Sequence, residues 1–292
     1  MKEELWYLFI DGQRNSETGV FGSFYAYGRH LGDALGKVIL ASFDQDFKNQ
    51  NLVEASFLDD FSEIEDSEEL IEISEKVYMR QTTYSYPIDD PDKEFVAPTG
   101  IVKGVQDSDL AYELIKENFI ALDKNDDEIY SLELNVAKTD LVDVYIKAIN
   151  NLPSVDGFWI YIKNYWDNQQ TELWTAKHFI DKEIVLNFLQ SSQSDTLENG
   201  YLEIVVHSLN GETNLKLDEH KKITLHTKAE DVFSDFIGQT IELGYEQTKD
   251  FYSLANDYHH WHYRPADSLT RTDFVIKLID NNFELRDKWD EE

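Results

Sequence analysis

The stretch Tyr201–Thr227, YLEIVVHSLNGETNLKLDEHKKITLHT, decides the fold. Three apolar, β-branched segments lie within it: Tyr201–Ser208, Thr213–Leu217 and Lys222–Thr227. Asn210-Gly211 separates the first two, and this dipeptide tolerates the positive φ that a type I′ hairpin turn needs at both central residues. A three-stranded antiparallel meander is therefore expected. Upstream, Ile129–Val136 alternates as a strand, Thr139 caps a helix through Ile149 that Pro153 stops, and GFWIYIK (Gly157–Lys163) and Glu172–Ala176 read as further strands. Ile180–Leu189 has helical spacing. So do Val232, Phe233, Phe236, Ile237, Ile241 and Tyr245, and again Thr272–Phe283.

The first third of the chain carries a similar mixture. LWYLFI (Leu5–Ile10) and GSFYAY (Gly22–Tyr27) read as strands, possible partners in a hairpin, followed by a helix through Leu31, Ala34, Leu35, Val38 and Ile39 and a strand at Leu52–Leu58. Leu70–Ile73 and Val77–Tyr86 extend the strand pattern, and Pro87, Pro91 and Pro98 mark a loop. Asp107-Ser108-Asp109 has the chemistry of a helix cap ahead of Leu110, Leu114, Ile115, Phe119 and Leu122. Lys124-Asn125-Asp126-Asp127 is the boundary candidate. The expected class is α+β, two modules of mainly antiparallel sheet with packed helices: residues 1–125, which hold an acidic run, and 126–292, ending in helices.

Charge narrows the function classes. The 292 residues include 26 Lys plus Arg against 58 Asp plus Glu, a formal charge of −32. A chain so anionic lacks the basic footprint that nucleic-acid binding needs, and anionic membranes repel it. With 41% hydrophobic and 13% aromatic residues it still holds enough apolar surface to build a core. Having no cysteine removes disulfides, thiolate zinc sites and cysteine nucleophiles together. Met1-Lys2-Glu3-Glu4 lacks a basic leader region and Leu5–Ile10 is too short to span a membrane, so a cytoplasmic protein is expected.

Three clusters stand out as candidate sites. Between Asp59 and Glu75, nine of seventeen residues are acids (Asp59, Asp60, Glu63, Glu65, Asp66, Glu68, Glu69, Glu72 and Glu75) with no base among them. Such a run is either a solvated face that keeps the protein dispersed or a docking surface for a basic partner. The second cluster is aromatic. Strand alternation puts Phe158, Ile160 and Ile162 on one face and Trp159 and Tyr161 on the other, and with Trp166 these rings would anchor a partner. The third, Asp257-Tyr258-His259-His260-Trp261-His262, is rich in imidazole. His259 and His262 are three apart, a carboxylate would have to come from elsewhere, and the flanking rings suggest packing. Imidazoles are good ligands for zinc, nickel or copper, but a structural or interfacial role is the expectation, and no metal ligand, cofactor or catalytic residue is assigned.

Known motifs are missing. The sequence has no D-x-D-x-D-G calcium loop, G-x-G-x-x-G, G-x-S-x-G or H-E-x-x-H. Gly28, Gly32 and Gly36 fail the phosphate-loop spacing, and their period of four instead suggests a helix face that approaches a sheet closely. In size, composition, two α+β modules and the run Asp59–Glu75, the chain resembles the immunity proteins of bacterial polymorphic toxin systems. The resemblance implies a non-catalytic protein that occludes a cognate toxin domain, acids meeting its Lys and Arg and aromatic anchors filling its cleft. The alternative is a carboxylate-based hydrolase acting on a carbohydrate or neutral small molecule.

Overall fold

The structure is a computed structural model that describes residues 3–15, 17–64, 67–88, 95–104, 111–177, 181–256 and 258–290. The chain forms two compact units, residues 1–89 with 103–107 and residues 90–102 with 108–292. The first unit contains β1 (Glu4–Gln13), β2 (Thr18–Gly28), α1 (Leu31–Phe43), β3 (Lys48–Leu58), β4 (Leu70–Ser74), β5 (Val77–Arg80) and β6 (Tyr84–Pro87). Its sheet runs β3-β1-β2-β5-β4, with β6 also on β2. The expected hairpin is present, Leu8 opposite Phe24. Alternate residues Leu8, Ile10, Phe24 and Ala26 point to α1 and pack on Ala34, Val38 and Ala41.

The other face of that sheet carries Leu5, Tyr7, Tyr25, Tyr27 and Tyr78. β3 and β4 are its opposite edges, so the connection between them has to cross the sheet. It crosses this face, and Phe61 and Ile64 pack into the tyrosine cluster. The part of the acidic run that precedes β4 is thus a strap held down by Phe61 and Ile64.

The second unit contains β7 (Ile101–Lys103) up to Val102, β8 (Asn118–Leu122), β9 (Tyr130–Asn135), α2 (Leu141–Asn151), β10 (Gly157–Ile162), β11 (Thr171–Ala176) and α3 (Lys182–Gln190). There follow β12 (Leu202–Ser208), β13 (Thr213–Leu217), β14 (Lys222–Thr227), α4 (Glu230–Glu242), β15 (Glu246–Gln247), β16 (His260–His262), α5 (Arg271–Asp280) and β17 (Phe283–Trp289). Nine strands pair in the order β15-β8-β9-β14-β13-β12-β10-β11-β17, and the meander β12-β13-β14 lies near the middle. Every pair is antiparallel except β15 with β8. Phe158, Ile160, Ile204, Val206, Leu215 and Leu225 supply the sheet side of one core, and all four helices α2 to α5 contribute to it. β16 pairs with β7 in a separate two-stranded sheet. Among the described residues, no helix is long and apolar enough to cross a membrane.

The architecture is α+β with antiparallel-rich sheets, as the patterns predicted, but several local readings change. The helix expected over 110–122 is a single three-residue turn, Tyr112–Leu114, followed by β8; its capping residues 107–109 lie outside the described residues. Ile115 and Phe119 are both buried and four apart, which mimics a helix stripe, yet Phe119 pairs with Leu134 of β9. Tertiary pairing overrides the local period here. Lys124–Asp127, read as the module boundary, belongs to the turn of that same β8–β9 pair, where the Asn125 side chain accepts from the amides of Asp127 and Ile129. The second unit does not end in helices either, because the helix stops at Asp280 and Phe283–Trp289 joins the sheet edge beside β11. Asn210–Glu212 forms one 3-10 turn with its positive φ at Glu212, so the hairpin is real but its turn is not type I′. Of the three spaced glycines only Gly28 makes a close approach: a Cβ there would lie 2.6 Å from Ala34 N, while one at Gly36 would meet nothing.

Candidate functional site

The described acids of the strap, Asp59, Asp60, Glu63, Glu68 and Glu69, are exposed, as are Glu72 on β4 and Glu75 after it; Glu65 and Asp66 lie outside the described residues. Phe61 and Ile64 take the inward positions, so the acids are left facing water. Asp60 accepts from the Ser62 amide at 2.8 Å, which holds its carboxyl below the usual carboxylate range. Glu69 reaches Arg80 at 3.4 Å, and Glu72 accepts from the Lys76 amide.

The aromatic ridge divides. Trp159 and Tyr161 lie on the sheet face opposite Phe158, as alternation predicts, and both are half-buried. Trp159 stacks on the His207 ring at 5.6 Å and Tyr161 meets Trp289 edge-on at 6.3 Å. Trp159 lines a groove of about 650 Å³ together with Asp156, Lys177, Glu284 and Arg286, a lining of mixed charge. Trp166 is no anchor. It is 2% exposed, stacked on Tyr201 at 5.4 Å and close to Phe274, so it packs the core and has no surface to offer a partner.

The histidines are where the structure adds most. His260 and His262 are alternate residues of β16 and therefore share a strand face, whereas His259 is exposed. His220, from the β13–β14 turn, joins them, and ligand-type nitrogens of all three rings lie within 4.8 Å of one another. Ring centroids are 4.7 to 5.2 Å apart with interplanar angles of 68° to 75°. His260 Nδ1 lies 2.6 Å from the Tyr258 carbonyl and His262 Nδ1 2.7 Å from the Gly200 carbonyl. A carbonyl only accepts, so both Nδ1 atoms carry hydrogen. Tyr165 packs its ring 4.8 Å from that of His262. Burial pushes the pKa of all three imidazoles down, and that of His262 falls to about 3.

His220 could not be selected from the sequence, because nothing local in Asp218-Glu219-His220-Lys221 distinguishes it. The pairing of His260 with His262 was readable, had the segment been taken as strand rather than as residues three apart.

A buried charge network surrounds this turn. Lys163 lies 3.3 Å from Glu219 and 3.6 Å from Glu203. Burial pushes Glu219 upward, but the Lys163 ammonium, a backbone N–H and His220 together outweigh it and bring it to about 2. Burial dominates at Asp218 and raises it to about 6. Lys221 is 2% exposed, donates to the Asn199 carbonyl at 2.6 Å, and is lowered by burial to about 7 from the usual 10.5.

A pH dependence follows from Lys221. Between pH 7 and 10.5 the folded state binds fewer protons than the unfolded chain, so stability rises with pH through that window, by at most about 1.4 kcal/mol per unit. Urea unfolding at intervals from pH 7 to 9 should show the rise, and Lys221→Met should flatten it. The same slope in the variant would assign the effect elsewhere.

No protein-family model matches the chain, and no curated protein or solved structure matches it either.

Proposed function

We propose that the chain is a non-catalytic binding protein that neutralises a basic protein partner, the role its resemblance to toxin-immunity proteins implies. The observation that supports this reading best is the strap. Every described acid between Asp59 and Glu75 is exposed, and Phe61 and Ile64 fix the segment to the sheet. An anionic patch held on a packed scaffold loses little entropy when it meets its partner, and a net charge of −32 adds a long-range field. Lys and Arg that a toxin uses to hold its substrate would be steered onto these carboxylates. On the second unit, Trp159 and Tyr161 are separate candidate ring contacts, and ring burial governs release more than encounter.

The test is kinetic. A basic partner, sought first among the products of neighbouring genes, should associate with the chain at a rate that falls steeply with ionic strength. Asp59→Lys, Glu63→Lys and Glu68→Lys combined should slow association roughly 10- to 100-fold at low salt without changing the melting temperature. Co-expression should also relieve any growth arrest the neighbour causes. An association rate that ignores both salt and the triple reversal would overturn the reading.

A further inference from the structure

We propose that His220, His260 and His262 form a three-imidazole site for a divalent transition metal of the zinc class, with one coordination position left for solvent or a ligand. This goes beyond the docking reading and does not depend on it.

The geometry carries the inference. Because His260 and His262 each commit Nδ1–H to a backbone carbonyl, each ring in its neutral form presents a bare lone pair at Nε2. Those two Nε2 atoms face each other at 3.1 Å. Two lone pairs at that separation repel unless a proton or a metal ion lies between them. Nitrogens bound at about 2.0–2.1 Å to one ion, 90–110° apart, are separated by about 2.9–3.4 Å, so the observed spacing suits a shared metal. The carbonyl partners have the form that orients metal-binding imidazoles elsewhere, the far ring nitrogen donating to a fixed acceptor. The nearly perpendicular ring planes leave each nitrogen turned inward rather than stacked on its neighbour. His220 sits on a turn, and an adjustment of about 1–2 Å in its ring completes the set.

The donor set selects the ion. Three imidazoles without thiolate suit Zn²⁺, Ni²⁺ or Cu²⁺, whereas Ca²⁺ and Mg²⁺ need oxygen ligands. The Glu219 carboxylate is engaged by Lys163 at 3.3 Å. Three protein nitrogens with an open fourth position resemble catalytic rather than closed structural zinc sites. A metal here would tie the β13–β14 turn to β16.

The experiment uses the full chain stripped with a chelator and titrated calorimetrically with zinc chloride. One equivalent should bind, and Co²⁺ should give the visible bands of tetrahedral nitrogen coordination. His220→Gln and His262→Gln should each weaken zinc by more than about 100-fold, with near-UV dichroism unchanged, while His259→Gln leaves affinity as it was. Absence of stoichiometric zinc and of the cobalt bands in the unmodified protein would overturn the proposal, and so would equal losses at His259 and His262. Should a variant fail to fold, the cobalt spectrum of the unmodified chain decides alone.

Discussion

Gly200→Ala should cost about 3 kcal/mol or more of folding free energy, out of proportion to one methyl group. A Cβ at Gly200 would lie 1.9 Å from the carbonyl oxygen of Gly100, 2.8 Å from its carbon and 2.9 Å from the carbonyl oxygen of Tyr263. All three are backbone atoms, so no side chain can swing away to relieve the overlap. Gly100 in turn has φ of +101° and no room for a Cβ of its own. The Gly200 amide donates to Tyr263, the Tyr263 amide donates to Gly100, and the Gly200 carbonyl receives His262 Nδ1. Displacing this contact should move β16 and weaken zinc binding at the same time. Gly36→Ala is the control, since its methyl meets open space inside α1 and should stabilise by about 0.5–1 kcal/mol. Urea midpoints for the two variants should move in opposite directions; a loss under 1 kcal/mol at Gly200 would show that the backbone there yields readily.

The second large effect is expected at Arg271, at the start of α5. Its guanidinium is buried and donates to the carbonyls of Trp166 at 2.6 Å and Gln170 at 2.8 Å, with Glu172 at 3.4 Å. Arg271→Met keeps the aliphatic stem but leaves two carbonyls without that donor and one buried carboxylate short of a partner. Removing one member of such a pair costs about 3–5 kcal/mol. Glu172 retains Lys288 at 2.9 Å and the Trp174 indole N–H at 2.8 Å, which argues for the lower end of that range. Combining Glu172→Gln with Arg271→Met tests the coupling. If the two losses simply add, the carbonyl contacts and not the ion pair hold the helix.

Much of the scaffold was legible because strands and helices announce themselves in local spacing. Alternation in Gly157–Lys163 set which side chains enter the core, and Phe158 and Trp159 indeed lie on opposite faces. Residues 110–122 misled for the same reason: a period of four between Ile115 and Phe119 fits a helix, and only pairing with β9 selects a strand. Trp166 misled differently, because residue type marks a ring as valuable without saying which side of the chain is covered.

By itself the sequence determined the class of scaffold, which local spacing sets, and the excess of negative charge, which composition sets. Only the tertiary structure decided that His220 meets His260 and His262 across forty residues, and that Gly100 and Gly200 touch through their backbones. Contacts of that kind depend on where whole strands are placed, and no local period encodes them.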